Sequence, residues 1–207
     1  MNRKYLGDAL DHFKGAVLRH LQDTGDLRNL AADPMVTDPE HWNEAEYLLY
    51  ARLISVERDR VVPNGGILNP RTPGPRAPPP AAARLGLPSH DGDVFLDPDT
   101  GIKTGTQYPL RCFVQPHEIV SLLEDFGVVA VYQHAWRVGE LGWVTTVWKA
   151  VMVQTRDIWG TAYASKQVAL LFFSENGRRI AALDRSLRTW LAPAEEHVVS
   201  LRIPGQE

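Results

Sequence analysis

Two nearly continuous apolar runs, Val128 to Gln133 (V-V-A-V-Y-Q) and Gln167 to Phe173 (Q-V-A-L-L-F-F), narrow the possible folds of this chain more than any other segment. A strand on a one-sided sheet alternates apolar and polar residues, because its two faces meet different surroundings. A run apolar at nearly every position needs cover on both faces, which helices above and below a parallel sheet supply. The neighbouring segments read as that cover. Pro116 to Asp125 (P-H-E-I-V-S-L-L-E-D) carries proline in its first turn, where the missing N–H is harmless, and Gly127 stops it. Glu140 to Val153 and Arg178 to Leu191 read as further helices, Asp93 to Asp97 as a short buried strand and His197 to Ile203 as a last, alternating one. The expectation is an α/β fold, Rossmann-like, with a mostly parallel sheet flanked by helices.

Upstream, Leu6, Leu10, Phe13, Val17 and Leu21 recur at three- and four-residue spacing and predict an amphipathic helix over Lys4 to Gln22. Asp8, His12 and Arg19 fall opposite the apolar stripe, while Asp11 and Lys14 sit on its borders. Thr24-Gly25-Asp26 ends that helix. Leu30 to Thr37 holds a short strand weakened by Pro34, and Asp38-Pro39-Glu40 has the chemistry of a helix start, leading to about Val56. The stretch from Pro63 to Pro88 breaks the pattern with eight prolines and four glycines. Its prolines cannot donate to a ladder and it holds few large apolar residues, so it reads as a surface insertion with polyproline-like segments inside one domain spanning residues 1–207.

The formal net charge of −3 asks for neither a nucleic-acid nor a membrane surface. Cys112 is the only cysteine, which excludes an internal disulfide and a cysteine-based zinc site. With no apolar span near the N-terminus, the expectation is a cytoplasmic protein without a membrane partner. Four of the six tryptophans lie between Trp136 and Trp159. They and the proline-rich stretch are the candidate protein-partner surfaces.

The candidate site follows from the strands. Parallel sheets bind ligands outside the carboxyl ends of their strands. There the chain places Asp97 and Asp99, then His134 and Arg137, then Ser174, Glu175 and Asn176. Each of these groups also has a structural reading. Asp-Pro-Asp-Thr-Gly is good turn chemistry, His134 alone is more often a hydrogen-bonded structural histidine, and Ser174-Glu175-Asn176 caps the following helix. If the acids act together, they hold Mg²⁺ or Mn²⁺, Arg137 binds phosphate and His134 serves as acid or base. That chemistry belongs to a metal-dependent nuclease or phosphoesterase.

The D-x-D ending of a strand resembles the haloacid-dehalogenase-like phosphatases, whose first aspartate attacks phosphorus. Here Thr100-Gly101 reverses that family's glycine-threonine order. A broader resemblance joins Asp8-Ala-Leu-Asp11-His-Phe-Lys14, Phe95-Leu-Asp97-Pro-Asp99-Thr-Gly101-Ile102 and Tyr132-Gln-His134-Ala-Trp-Arg137. These three motifs are similar to a group of bacterial proteins with a D-x-x-D-x-x-K-like helix, F-D-P-D-N-G-I and Y-Q-H-x-x-R. They also resemble, distantly, two Rossmann-like methyltransferase groups: the ribosomal RNA adenine-N6 methyltransferases with D-P-P-Y, and the three-cysteine-motif partner proteins with D-P-F-G. The resemblance implies S-adenosylmethionine as cofactor, with Asp8, Asp11, Lys14 and Asp38 near it. It implies a nucleic acid or nucleotide as substrate, and Asp97 with the Pro98 carbonyl orienting the acceptor. The chain departs from the pattern in having no glycine in Ala31 to Asp38, and Thr100 where the D-P-P-Y loop carries an aromatic residue. A third expectation is a non-catalytic component of a larger assembly.

Overall fold

A computed structural model describes residues 3–36, 42–62, 91–103, 113–134, 140–154, 157–165, 167–194 and 198–201. Its strands are β1 (Ala31–Asp33), β2 (Val94–Leu96), β3 (Val129–His134), β4 (Trp159–Ala164), β5 (Val168–Ser174) and β6 (Val199–Leu201). Its helices are α1 (Ala9–Asp23), α2 (Glu44–Leu53), α3 (Pro116–Leu123), α4 (Glu140–Met152) and α5 (Gly177–Leu191). The six strands form one sheet in the order β1-β2-β3-β5-β4-β6. Pairs β1–β2 and β2–β3 are parallel, whereas β3–β5, β5–β4 and β4–β6 are antiparallel.

The α/β expectation therefore holds, but the sheet is mixed and its parallel part ends at β3. The physical reason is β4, a strand that W-G-T-A-Y-A conceals with small residues. It joins β5 through Ser165 to Gln167, far shorter than the dozen residues a parallel crossover needs. The chain must reverse there, and β5 runs against β3. Both apolar runs are strands with cover on both sides. On one face Phe95, Ala130, Leu170 and Phe172 pack with Leu18 and Leu21 of α1, Tyr50 of α2 and Leu183 of α5. On the other Val94, Val129, Leu171 and Phe173 pack with Ile119 of α3 and Trp148 of α4. Alternate residues of each strand serve opposite layers, as the two-residue strand period requires.

Several boundaries moved. Helix α1 begins at Ala9, with Asp8 as its N-cap, after a separate 3-10 turn at Arg3–Tyr5. Helix α2 begins at Glu44, where Asn43 and Glu46 form a reciprocal capping box. Asp38, the Pro63–Pro88 stretch, Trp136 and Arg137 lie outside the described residues. No helix among the described residues is long and apolar enough to cross a membrane.

Candidate functional site

Because β2 and β3 are parallel, with Leu96 opposite Val131, Asp97 and His134 emerge at the same end of the sheet. Alternation then sorts their neighbours. Phe95, Ala130 and Tyr132 belong to the layer that α1 and α2 cover, so Asp97 and Tyr132 meet residues of those helices. Helix α1 does not bury the predicted stripe alone. Asp11, Lys14 and Gly15, from one border of that stripe, are buried with Val17, Leu18 and Leu21. A Cβ on Gly15 would overlap the Leu53 carbonyl, so this glycine lets α1 and α2 approach closely enough to set Lys14 beside Tyr50.

The result is a compact charged centre. Lys14 Nζ lies 2.7 Å from Asp97 Oδ2 and 2.7 Å from Asp11 Oδ1. The Tyr50 hydroxyl donates to the same Asp97 Oδ2 at 3.2 Å, and the Gly7 N–H donates to Asp11 Oδ2 at 2.8 Å. The ammonium also stands 4.5 Å from the centroid of the Tyr132 ring, a cation–π contact. Asp11, Lys14, Asp97, Tyr50 and Tyr132 are all buried, each 3% exposed or less. The Tyr132 hydroxyl lies 3.0 Å from His134 Nδ1, and the half-buried His134 ring packs edge-on against it.

Burial by itself would lower the Lys14 pKa, but Asp97 and Asp11 outweigh it and hold the ammonium above its ordinary value. Burial pushes the Asp11 carboxyl up, countered by Lys14 and reinforced by Asp97. Burial, then Asp97, Asp11 and Asp33, keep the Tyr50 phenol well above its usual range. Burial, then Asp97, Asp8, Asp11 and Asp99, do the same for Tyr132. Burial pushes the His134 imidazole down, against the pull of Asp99. Among the described residues, two buried carboxyl groups share one ammonium here.

A second glycine shapes the loop after β2. Gly101 has φ +83° and sits where a Cβ would strike the Gln133 amide. Gln133 Oε1 accepts from the Ile102 N–H at 2.6 Å and its Nε2 donates to the His134 carbonyl. This brace ties the Asp97–Ile102 loop to the end of β3. After β1, Asp33 Oδ1 accepts from the Met35 N–H at 2.8 Å, and Met35 itself takes a positive φ of 45°. That turn is built without glycine.

The structure thus gathers Asp11, Lys14, Asp97 and His134 at one end, with the half-buried Asp99 within electrostatic reach of His134. Asp8 caps α1, its Oδ1 accepting from the Leu10 and Asp11 N–H groups. Ser174, Glu175 and Asn176 are not there. Strand β5 is antiparallel to β3, so they emerge at the opposite end, where they line a cavity of about 850 Å³ with Trp159 and Arg178. Asn176 caps α5 through the Arg178 and Arg179 N–H groups, as turn chemistry predicts. Sequence reasoning missed Tyr50. The signal for the remainder was an acid and a lysine three residues apart on the border of an apolar stripe.

Fold and site together define an α/β protein with a mixed sheet and a charged centre at the carboxyl ends of its parallel strands. The chain matches no protein-family model, and neither a curated protein nor a solved structure matches it.

Proposed function

We propose that this protein is methyltransferase-like, a Rossmann-like α/β protein whose ligand site lies at the carboxyl ends of β1–β3 and acts on nucleic acid or a nucleotide. The observation that carries the proposal is the convergence of Asp97, Tyr132 and His134 from adjacent parallel strands with Asp11 and Lys14 from α1. Such strand ends are where open parallel sheets bind ligands. Among the described residues both donors to the Asp97 side chain engage Oδ2, leaving Oδ1 as the oxygen offered to an acceptor group. The Pro98 carbonyl follows it in the same loop. Two carboxyl groups for one ammonium among the described residues fit the cationic sulfonium and ammonium of S-adenosylmethionine, which would supply the methyl group. Asp99, close enough to influence His134, adds another carboxyl group.

The metal-dependent reading receives less support. Lys14 already places a cation against Asp97, and among the described residues no three His, Cys, Asp or Glu side chains gather to hold an ion. Calorimetry with S-adenosylmethionine, and separately with Mg²⁺ and Mn²⁺, tests the proposal. Cofactor heat without metal is the expected result. Heat with metal alone overturns it in favour of a nuclease or phosphoesterase, and no heat with either favours a non-catalytic component.

A further inference from the structure

We propose that the ligand site is flanked by two base-stacking platforms, Tyr5 ahead of α1 and Trp143 at the start of α4, and that its substrate is a single-stranded nucleic acid whose unpaired bases lie on both. This rests on the site proposed above and names its substrate class.

Tyr5 and Trp143 are exposed aromatic residues, 48% and 39% accessible, and they come from the two helical layers that cover the sheet. Helix α1 brings Asp11 and Lys14 to Asp97, so the 3-10 turn Arg3–Tyr5 ahead of it lies at the carboxyl ends of the parallel strands. The Gly7 N–H, two residues beyond Tyr5, donates to Asp11 Oδ2, and Lys4 is within electrostatic reach of Asp99. Helix α4 follows β3, and Trp143 stands in its first turn. Its ring lies 5.7 Å from Lys103 Nζ. Lys103 adjoins Ile102, whose N–H donates to the Gln133 side chain beside His134. Both rings are thus tied to the rim of the same site.

Each ring also has the same companion. Lys4 Nζ stands 4.6 Å from the Tyr5 centroid, as Lys103 Nζ does at 5.7 Å from that of Trp143. An aromatic face with an ammonium beside it answers the two parts of a nucleotide, a base that stacks and a phosphate that carries negative charge. The exposed neighbours of each ring are polar or small: Arg3 and Gly7 near Tyr5, Gly142 and Thr146 near Trp143. A protein interface surrounds its aromatic anchors with contiguous apolar surface, and these rings stand singly.

A duplex keeps its base faces stacked on one another, so only unpaired bases can lie on two separate rings. The formal net charge of −3 points the same way, because it does not favour a long track of phosphates. Stacking then supplies most of the affinity, and the two lysines make the phosphate contacts.

Fluorescence anisotropy of the protein without cofactor, with a fluorescein-labelled single-stranded oligonucleotide of randomised sequence as RNA and as DNA, tests this. At least one of the two strands should bind about tenfold tighter than the matching duplex or adenosine monophosphate. Tyr5→Leu and Trp143→Leu, which keep apolar bulk and remove the ring, should each weaken binding about tenfold, while Tyr5→Trp and Trp143→Tyr retain it. Log affinity should fall with log salt at a shallow slope, about −1.4 for two phosphate contacts on a single strand. No binding of either strand, equal binding of duplex or monophosphate, leucine variants that bind as the parent does, or a much steeper salt slope overturns the proposal. Both side chains are exposed, so the variants should keep the parent's urea midpoint. Heat with S-adenosylmethionine but no oligonucleotide binding removes the platforms and leaves the methyltransferase-like reading standing. Oligonucleotide binding without cofactor heat does the reverse.

Discussion

Strand β2 is bracketed by two buried aspartates, Asp93 before it and Asp97 after it, 0% and 1% exposed. Each is paired with a cation from a helix, yet the two pairs are built differently. Asp93 receives Arg179 as a fork, Nη1 to Oδ1 at 2.9 Å and Nη2 to Oδ2 at 2.7 Å, and its Oδ2 also accepts from the Arg28 N–H. Both oxygens are committed and the charge is matched one to one. Asp97 has both donors on Oδ2, and its ammonium is shared with Asp11. A planar guanidinium saturates a carboxylate geometrically, whereas an ammonium is a point donor that can be divided. Among the described residues, the first end matches one carboxylate with one cation, whereas at the second two carboxyl groups share one ammonium. Burying two carboxyl groups against one ammonium opposes stability, and buried titratable groups held in that way cluster at functional sites.

The contrast can be broken most directly by removing the two cations. Lys14→Met leaves two buried carboxylates without a counter-charge and should destabilise the protein by about 3–5 kcal/mol, measured by urea unfolding. Arg179→Met should cost less, about 2–3 kcal/mol, because the Arg179 side chain is 18% exposed and water can partly replace it at Asp93. Equal losses would mean that the two ends are not different in kind. Tyr50→Phe removes one hydrogen bond to Asp97 and should cost about 1 kcal/mol in the same assay.

The smallest effect expected is a pH slope. Folding holds His134 below its ordinary value of 6.5, so in that window the unfolded chain binds a proton the folded protein rejects. Stability from this group is present above 6.5 and lost as pH falls through the window below it. His134→Asn should flatten that part of the urea-midpoint profile while leaving the Asp93 end untouched.

Much of the architecture was legible because strands and helices announce themselves through period. The runs at β3 and β5, the α3 and α5 helices and the cap at Asn176 follow from local chemistry. Strand β4 was not legible, since its small residues carry little burial signal until β5 and β6 pair with it. That omission had a functional consequence. Without β4, β5 reads as one more parallel strand, and Ser174, Glu175 and Asn176 are assigned to the wrong end of the sheet.

Local pattern was enough for the layers and the candidates: which segments are buried on both faces, and that acids, a lysine and a histidine stand at their ends. Which of those groups share a centre depends on how the layers pack. Asp11 and Lys14 lie on a helix border that could equally face solvent. They are drawn inward because Gly15 lets α1 approach α2 and because Asp97 supplies the charge that makes burying an ammonium tolerable. Charge pairing across 83 residues of sequence is a property of packed layers, and no local pattern encodes it.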